Sequence, residues 1–230
     1  MAFFGGYGPS LTRIVSAVSG LFVPGWGAHA GIYRGAVPAG WVILDPPSFV
    51  ASGATVAAYR RWIVERCRAR PGPFTLAGHS FGAVLAVHAA LADRVEVERL
   101  VLVSPSALPL EKPVPLMFWD FSRRLAAGWF PPREGTRAVR QVLFHPLLAR
   151  RLGMEVRAID LSEELAELRD RGLPCTVVAA STDTLTPPSL CRRVAELCGG
   201  DYREVDVPGG HLWFLRAHDL LASELSARGG

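Results

Sequence analysis

The pentapeptide Gly78-His79-Ser80-Phe81-Gly82 constrains this chain more than any other feature. It comes after an apolar run, Phe74 to Ala77, that reads as a buried strand, and it precedes a run of small residues, Ala83 to Ala92, that reads as a helix. A serine with glycines two residues to either side, at a strand-to-helix junction, is the pattern of a nucleophile elbow. The glycines are needed because so tight a turn brings neighbouring backbone against any Cβ. A five-residue pattern this loose also arises by chance, in which case Ser80 is an ordinary turn serine, so its weight depends on whether an acid and a histidine occur at suitable places later in the chain.

Two later strand-like runs supply partners. Cys175 to Ala180 ends in Ser181-Thr182-Asp183, ahead of Pro187-Pro188, and Tyr202 to Val207 leads into Pro208-Gly209-Gly210-His211. A serine hydroxyl is a poor nucleophile at neutral pH; it needs a histidine base, and that histidine needs a carboxylate to fix its tautomer. Ser80, Asp183 and His211 occur in the chain order expected of an elbow-bearing sheet. Asp206 is a weaker acid, because it falls within a strand and is expected to point away from His211, and Asp45, followed by Pro46-Pro47, reads as a turn cap. Acyl transfer also needs donors for the oxyanion. The Phe81 amide comes directly after the nucleophile, and the turn Pro24-Gly25-Trp26-Gly27 offers the Trp26 amide as the second. His79 is expected to pack and hydrogen-bond within the elbow, His29 to edge the pocket, and His88, His145 and His218 to be structural.

Strand-like runs also occur at Gly20 to Val23, Trp41 to Leu44 and Leu100 to Val103, with helical spacing from Thr55 to Arg70, around Pro188 to Leu197 and from about Leu212 to Ala227. This alternation predicts an α/β fold: a mostly parallel sheet with helices on both faces, whose carboxyl edge carries the ligand site. The rhythm lapses after Ser104, in a stretch rich in large apolar groups such as Trp119. We therefore expect one domain over residues 1–230, with 105–170 inserted as a helical cap whose apolar face looks inward.

Basic residues number 25 and acidic ones 21. The excess is local: from Pro105 to Arg157 there are nine basic residues, Arg123, Arg124 and Arg140 among them, against four acidic ones. A balance this modest, on an aromatic-rich segment, disfavours nucleic-acid binding. No apolar run reaches the roughly 18 residues of a membrane span, and a signal peptide is not expected. The four cysteines show neither metal-ligand spacing nor a disulfide framework, so reduced thiols in a cytoplasm, core packing, and no metal or other cofactor are the expectations.

The chain resembles the α/β-hydrolase superfamily in Phe22-Val-Pro-Gly-Trp-Gly27, Leu44-Asp-Pro46, the Gly78–Gly82 pentapeptide, Leu102-Val-Ser-Pro105, Ser181-Thr-Asp183 and Gly209-Gly-His-Leu-Trp213. Pro24 stands where that superfamily usually has histidine, and residues 1–19 leave little room for its usual two leading strands, implying a sheet shortened at one edge. The resemblance implies a serine hydrolase acting on a small-molecule ester or thioester. The compact chain, the Gly-Trp-Gly turn and the arginine-bearing insertion are similar to the carboxylesterases that demethylate pimeloyl-acyl-carrier-protein methyl ester. By that likeness Arg123, Arg124 and Arg140 would hold an acidic acyl carrier protein; His29 at the pocket edge and Trp119 in the aromatic cap are further candidates to bind substrate or partner. A carbon–carbon bond hydrolase or an acyltransferase would use the same residues, and a non-catalytic binding protein could share the scaffold.

Overall fold

The computed structural model describes residues 20–113, Leu116, Trp119 and 132–227. Among the described residues six strands form one sheet: β1 (Gly20–Val23), β2 (Trp41–Ile43), β3 (Phe74–His79), β4 (Val97–Val103), β5 (Cys175–Ala180) and β6 (Asp201–Val205). Their order is β2-β1-β3-β4-β5-β6, and every neighbouring pair is parallel. The chain steps from β1 outward to β2, then returns to place β3 on the other flank of β1. That reversal opens a crevice at the carboxyl ends of β1 and β3, where parallel sheets bind ligands.

β1, β3 and β5 are buried along their whole length because helices cover both faces, whereas edge strand β6 is largely polar. Leu21, Val23, Leu76, Leu100, Leu102, Val177 and Ala179 pack into one core layer, and Phe22, Ala77, Val101, Val103, Val178 and Ala180 into the other, as a period of two requires. On the first face lie α2 (Val56–Arg68), α3 (Phe81–Ala90), α6 (Ser162–Asp170) and α7 (Pro188–Cys198). Thr55 caps α2 by accepting the Ala58 amide, and Tyr59, Ile63 and Cys67 turn inward at helical spacing. All ten residues of α3 are buried, which explains a run of Ala, Val and Leu with no polar stripe. On the opposite face Tyr33, Trp213, Phe214, Leu221 and Leu225 close the second layer.

Between β4 and β5 the described residues form α4 (Pro132–Phe144), α5 (Pro146–Arg157) and α6. A short α1 (Phe49–Ser52) and α2 contact α5, whereas α6 packs on α3 and α7. The large apolar groups described in this stretch do not all look inward as expected. Trp119 is 66 % exposed and Phe144 68 %. Phe144 ends α4, and the Arg140 guanidinium, one turn earlier, lies 5.7 Å from its ring centroid on the outside of the molecule. The continuous last helix is also corrected: a 3₁₀ segment (Gly210–Leu215) comes first, and α8 (His218–Ser226) starts after a break at Ala217. No described helix is long and apolar enough to cross a membrane. Cys67, Cys175, Cys191 and Cys198 are free and buried.

Candidate active site

Ser80 stands between β3 and α3 with φ 55° and ψ −119°, a conformation an L-residue rarely adopts and one that costs on the order of 1–3 kcal/mol. The flanking glycines permit it. A Cβ on Gly78 would strike the Gly82 carbonyl, and one on Gly82 would strike the Val23 and Pro24 carbonyls at the end of β1. Gly25 presses on the same turn, since its Cβ would lie 3.3 Å from Ser80 Cβ. The glycine turn after β1 is thereby brought against the serine. Phe81 is the first residue of α3, so its amide has no intrahelical acceptor and sits at the positive end of the helix.

Asp183 lies just past β5 and is buried. Its Oδ1 accepts the Leu185 amide at 2.8 Å and the Thr186 amide at 3.1 Å; its Oδ2 accepts the Thr186 hydroxyl at 2.7 Å and His211 Nδ1 at 2.8 Å. Burial disfavours the carboxylate, but the imidazole beside it and the hydrogen bonds from His211, Thr186 and Leu185 prevail and hold its pKa at about 2. With Nδ1 donating to Asp183, His211 keeps Nε2 for another partner. Gly209 and Gly210, at φ 136° and 53°, make the turn into His211. Thr182 Oγ1 accepts the Gly210 amide at 3.1 Å and donates to the Val207 carbonyl, which ties this loop to the one bearing Asp183. Among the described residues the Ser80 hydroxyl makes no hydrogen bond, as is common before substrate binds.

The rival carboxylates are engaged elsewhere. Asp206 lies just beyond β6, not within the strand, and accepts the Ser181 hydroxyl at 2.8 Å. Asp45 accepts the Ala30 amide at 3.1 Å and pairs with Arg137 at 3.0 Å, joining the loop after β1 to α4. His29 caps the 3₁₀ turn Ala30–Tyr33 through the Gly31 amide. It also lines a pocket of about 530 Å³ with Ser48, Arg137, Arg140, Phe144 and His145. Ala28, Pro46 and Gln141 border this pocket and also a narrower space lined by Trp26, Tyr59, Phe81 and Leu152. Gln141 of α4 and Leu152 of α5 thus reach the neighbourhood of both candidate oxyanion donors. Arg123 and Arg124 lie outside the described residues, and Trp119 is exposed.

Sequence reasoning missed two groups. Thr186 clamps Asp183 and lies 3.2 Å from His211 Nδ1; its signal is the Asp-x-x-Thr spacing of a local carboxylate turn. Tyr33 donates to His79, and the two form a buried link behind the site. Among the described residues no cluster of three or more His, Cys, Asp or Glu side chains is placed to hold a metal ion.

Comparisons with known proteins agree with this architecture. A lipase-esterase related protein from Clostridium acetobutylicum superposes with a TM-score of 0.67 at 16 % identity, covering 90 % of this chain and 92 % of that one. An esterase from Exiguobacterium antarcticum gives 0.65 at 16 %, covering 91 % and 92 %. The thioesterase domain from the curacin biosynthetic pathway gives 0.60 at 19 %, covering 90 % of each chain. Identities this low speak for the fold alone. No curated protein sequence matches the chain. A sequence model of the alpha/beta hydrolase family, however, matches residues 21–224. That match runs from β1 to α8 through every strand and the Ser80 turn, and the chain belongs to the alpha/beta hydrolase family.

Proposed function

We propose that this hydrolase cleaves a carboxylic ester or thioester of a small molecule through an acyl-enzyme. Ser80 Oγ attacks the carbonyl carbon as His211 Nε2 takes its proton, and Asp183 holds the imidazole in the required tautomer and stabilises the imidazolium. The Phe81 and Trp26 amides receive the negative charge of the tetrahedral intermediate. Collapse expels the alcohol or thiol, protonated by His211, and water then releases the acid by the same steps. The observation that carries this reading is the Asp183–His211 hydrogen bond of 2.8 Å, on a loop adjoining a strained serine at a helix N-terminus.

The segment 105–170 is read as the cap of this site, because Arg140, Gln141 and Leu152 line the spaces beside His29, Trp26 and Phe81. A finer proposal is a methyl ester borne by an acidic acyl carrier protein, supported by the local excess of arginine and by Arg137 and Arg140 in that pocket. A cytoplasmic setting belongs to the same reading, since four free thiols suit a reducing compartment. The test is turnover of p-nitrophenyl esters, acyl thioesters and carrier-linked methyl esters by the native protein, by Ser80→Ala and by charge reversal at Arg123, Arg124 and Arg140. The proposal expects ester or thioester turnover that Ser80→Ala abolishes; turnover that survives Ser80→Ala contradicts it. Charge reversal that leaves carrier-linked turnover unchanged removes the carrier protein alone.

A further inference from the structure

Three hydrogen bonds run behind the site. The Gly25 amide donates to Tyr33 Oη at 3.1 Å, the Tyr33 hydroxyl donates to His79 Nδ1 at 2.9 Å, and His79 Nε2 donates to the His211 carbonyl at 3.0 Å. With a neutral imidazole at His79 the directions are forced. A carbonyl only accepts, so Nε2 of His79 carries the proton; an amide only donates, so Tyr33 Oη accepts it and has one proton left, for Nδ1. We propose that Tyr33 and His79 are positioning residues that lock the turn before Trp26, the elbow at Ser80 and the backbone of His211 into one register. The inference rests on the ester or thioester reading above.

Each end of the chain adjoins a group that the proposed reaction uses. Gly25 precedes Trp26, His79 precedes Ser80, and the last acceptor is the carbonyl of His211 itself. These parts come from three separate connections, after β1, β3 and β6. Packing fixes the link as well: Tyr33 stacks on Phe214 at 4.7 Å, His79 meets the same ring edge-on at 4.9 Å, and the His79 and His211 rings are 4.7 Å apart. Tyr33 is 0 % exposed and His79 2 %. Burying a phenol and an imidazole is costly unless each polar atom is satisfied, and apolar rings would fill this layer without that cost. The arrangement also needs an uncharged His79. Burial, and then repulsion from His211, hold its pKa at about 3 against the pull of the His211 carbonyl and Asp183, and burial keeps Tyr33 protonated and able to donate.

The test compares Tyr33→Phe, which keeps the stacked ring, His79→Leu, which removes both links, and His79→Gln, whose terminal amide can still donate to the His211 carbonyl. Rates of fluorophosphonate labelling at Ser80 and kcat and KM for p-nitrophenyl butyrate are measured on each, with thermal melts alongside. A misplaced reacting group costs up to about 100-fold. The expected result is a fall in kcat and labelling rate of about 10-fold in Tyr33→Phe and about 100-fold in His79→Leu, KM staying within about twofold, with His79→Gln recovering most of the loss. Native kcat in folded Tyr33→Phe and His79→Leu overturns the positioning role and leaves the hydrolase reading standing, as does a loss in His79→Gln equal to that in His79→Leu. A native protein that the probe does not label overturns both.

Discussion

At the carboxyl edge of the sheet Asp183 is 2 % exposed and accepts four hydrogen bonds, whereas at the α4–α5 corner Phe144 and Leu147 are 68 % and 79 % exposed. The two regions are governed by different physics. A buried carboxylate must be satisfied on every side, so its partners over-determine its position and that of the imidazole it holds. At the corner, solvent meets most of the side chains, and the pairing of Arg140 with Phe144 or Arg151 with Glu155 contributes about 0.3–1 kcal/mol. Buried hydrogen bonds fix the geometry where the chemistry is proposed, and more exposed side chains line the pocket where recognition is proposed. A family can then vary what it binds without disturbing how it reacts.

The comparison breaks most sharply at Asp183. Asp183→Asn should fold normally yet lower kcat for a chromogenic ester by roughly 10⁴-fold, because an amide no longer fixes the His211 tautomer. A loss below about tenfold would move the acid's role to another residue.

Next in size is Gly82→Ala, where a Cβ enters the space of the Val23 and Pro24 carbonyls, which are backbone and have little room to move. Urea unfolding should show a loss of about 3 kcal/mol or more, and a native-like midpoint would mean that the β1–elbow contact is looser than described.

Acid should expose the same buried region. His79 and His88 are held neutral by burial, with pKa values of about 3 and about 4. Unfolding releases them to values near 6.5, so the unfolded chain binds more protons below that pH and stability falls as pH drops from about 6.5 toward 4. With both contributing, the slope near pH 5 approaches about 2.7 kcal/mol per pH unit. Stability that stays flat between pH 7 and 5, by urea titration, would contradict this.

The smallest effect belongs to the corner. Phe144→Ser and Leu147→Ser should each change stability by no more than about 0.5 kcal/mol and leave small-ester turnover intact. A loss above about 1 kcal/mol would show that this face is covered in the folded protein.

What could be read from the residues divides along the same line. Most strands, the glycine-flanked serine and the Ser80, Asp183, His211 order were legible because buried parallel strands are mostly apolar runs and tight turns demand glycine, whereas polar β6 ends at Val205, short of the expected Val207. The Asp183–His211 contact arises because adjacent strands β5 and β6 end at the same edge. The Tyr33–His79 bond joins residues 46 apart with no periodicity between them, so only the fold brings it to light. The break before α8 was hidden by apolar spacing that continues through Phe214, Leu221 and Leu225, whereas the positive φ of Gly209 and Gly210 starts a tighter 3₁₀ turn that cannot continue as one α-helix. Outward-facing Phe144 was illegible for another reason: an aromatic residue at a helix end has no spacing that tells inward from outward.

Every step of the proposed reaction depends on an activated serine at position 80. Its most direct test is the intact mass of the native protein, Ser80→Ala and His211→Ala after exposure to a fluorophosphonate. The account predicts one adduct on the native chain, none on Ser80→Ala, and labelling slowed by roughly 10³-fold or more in His211→Ala. A folded native protein that takes up no adduct, or one that labels equally in Ser80→Ala, would contradict it.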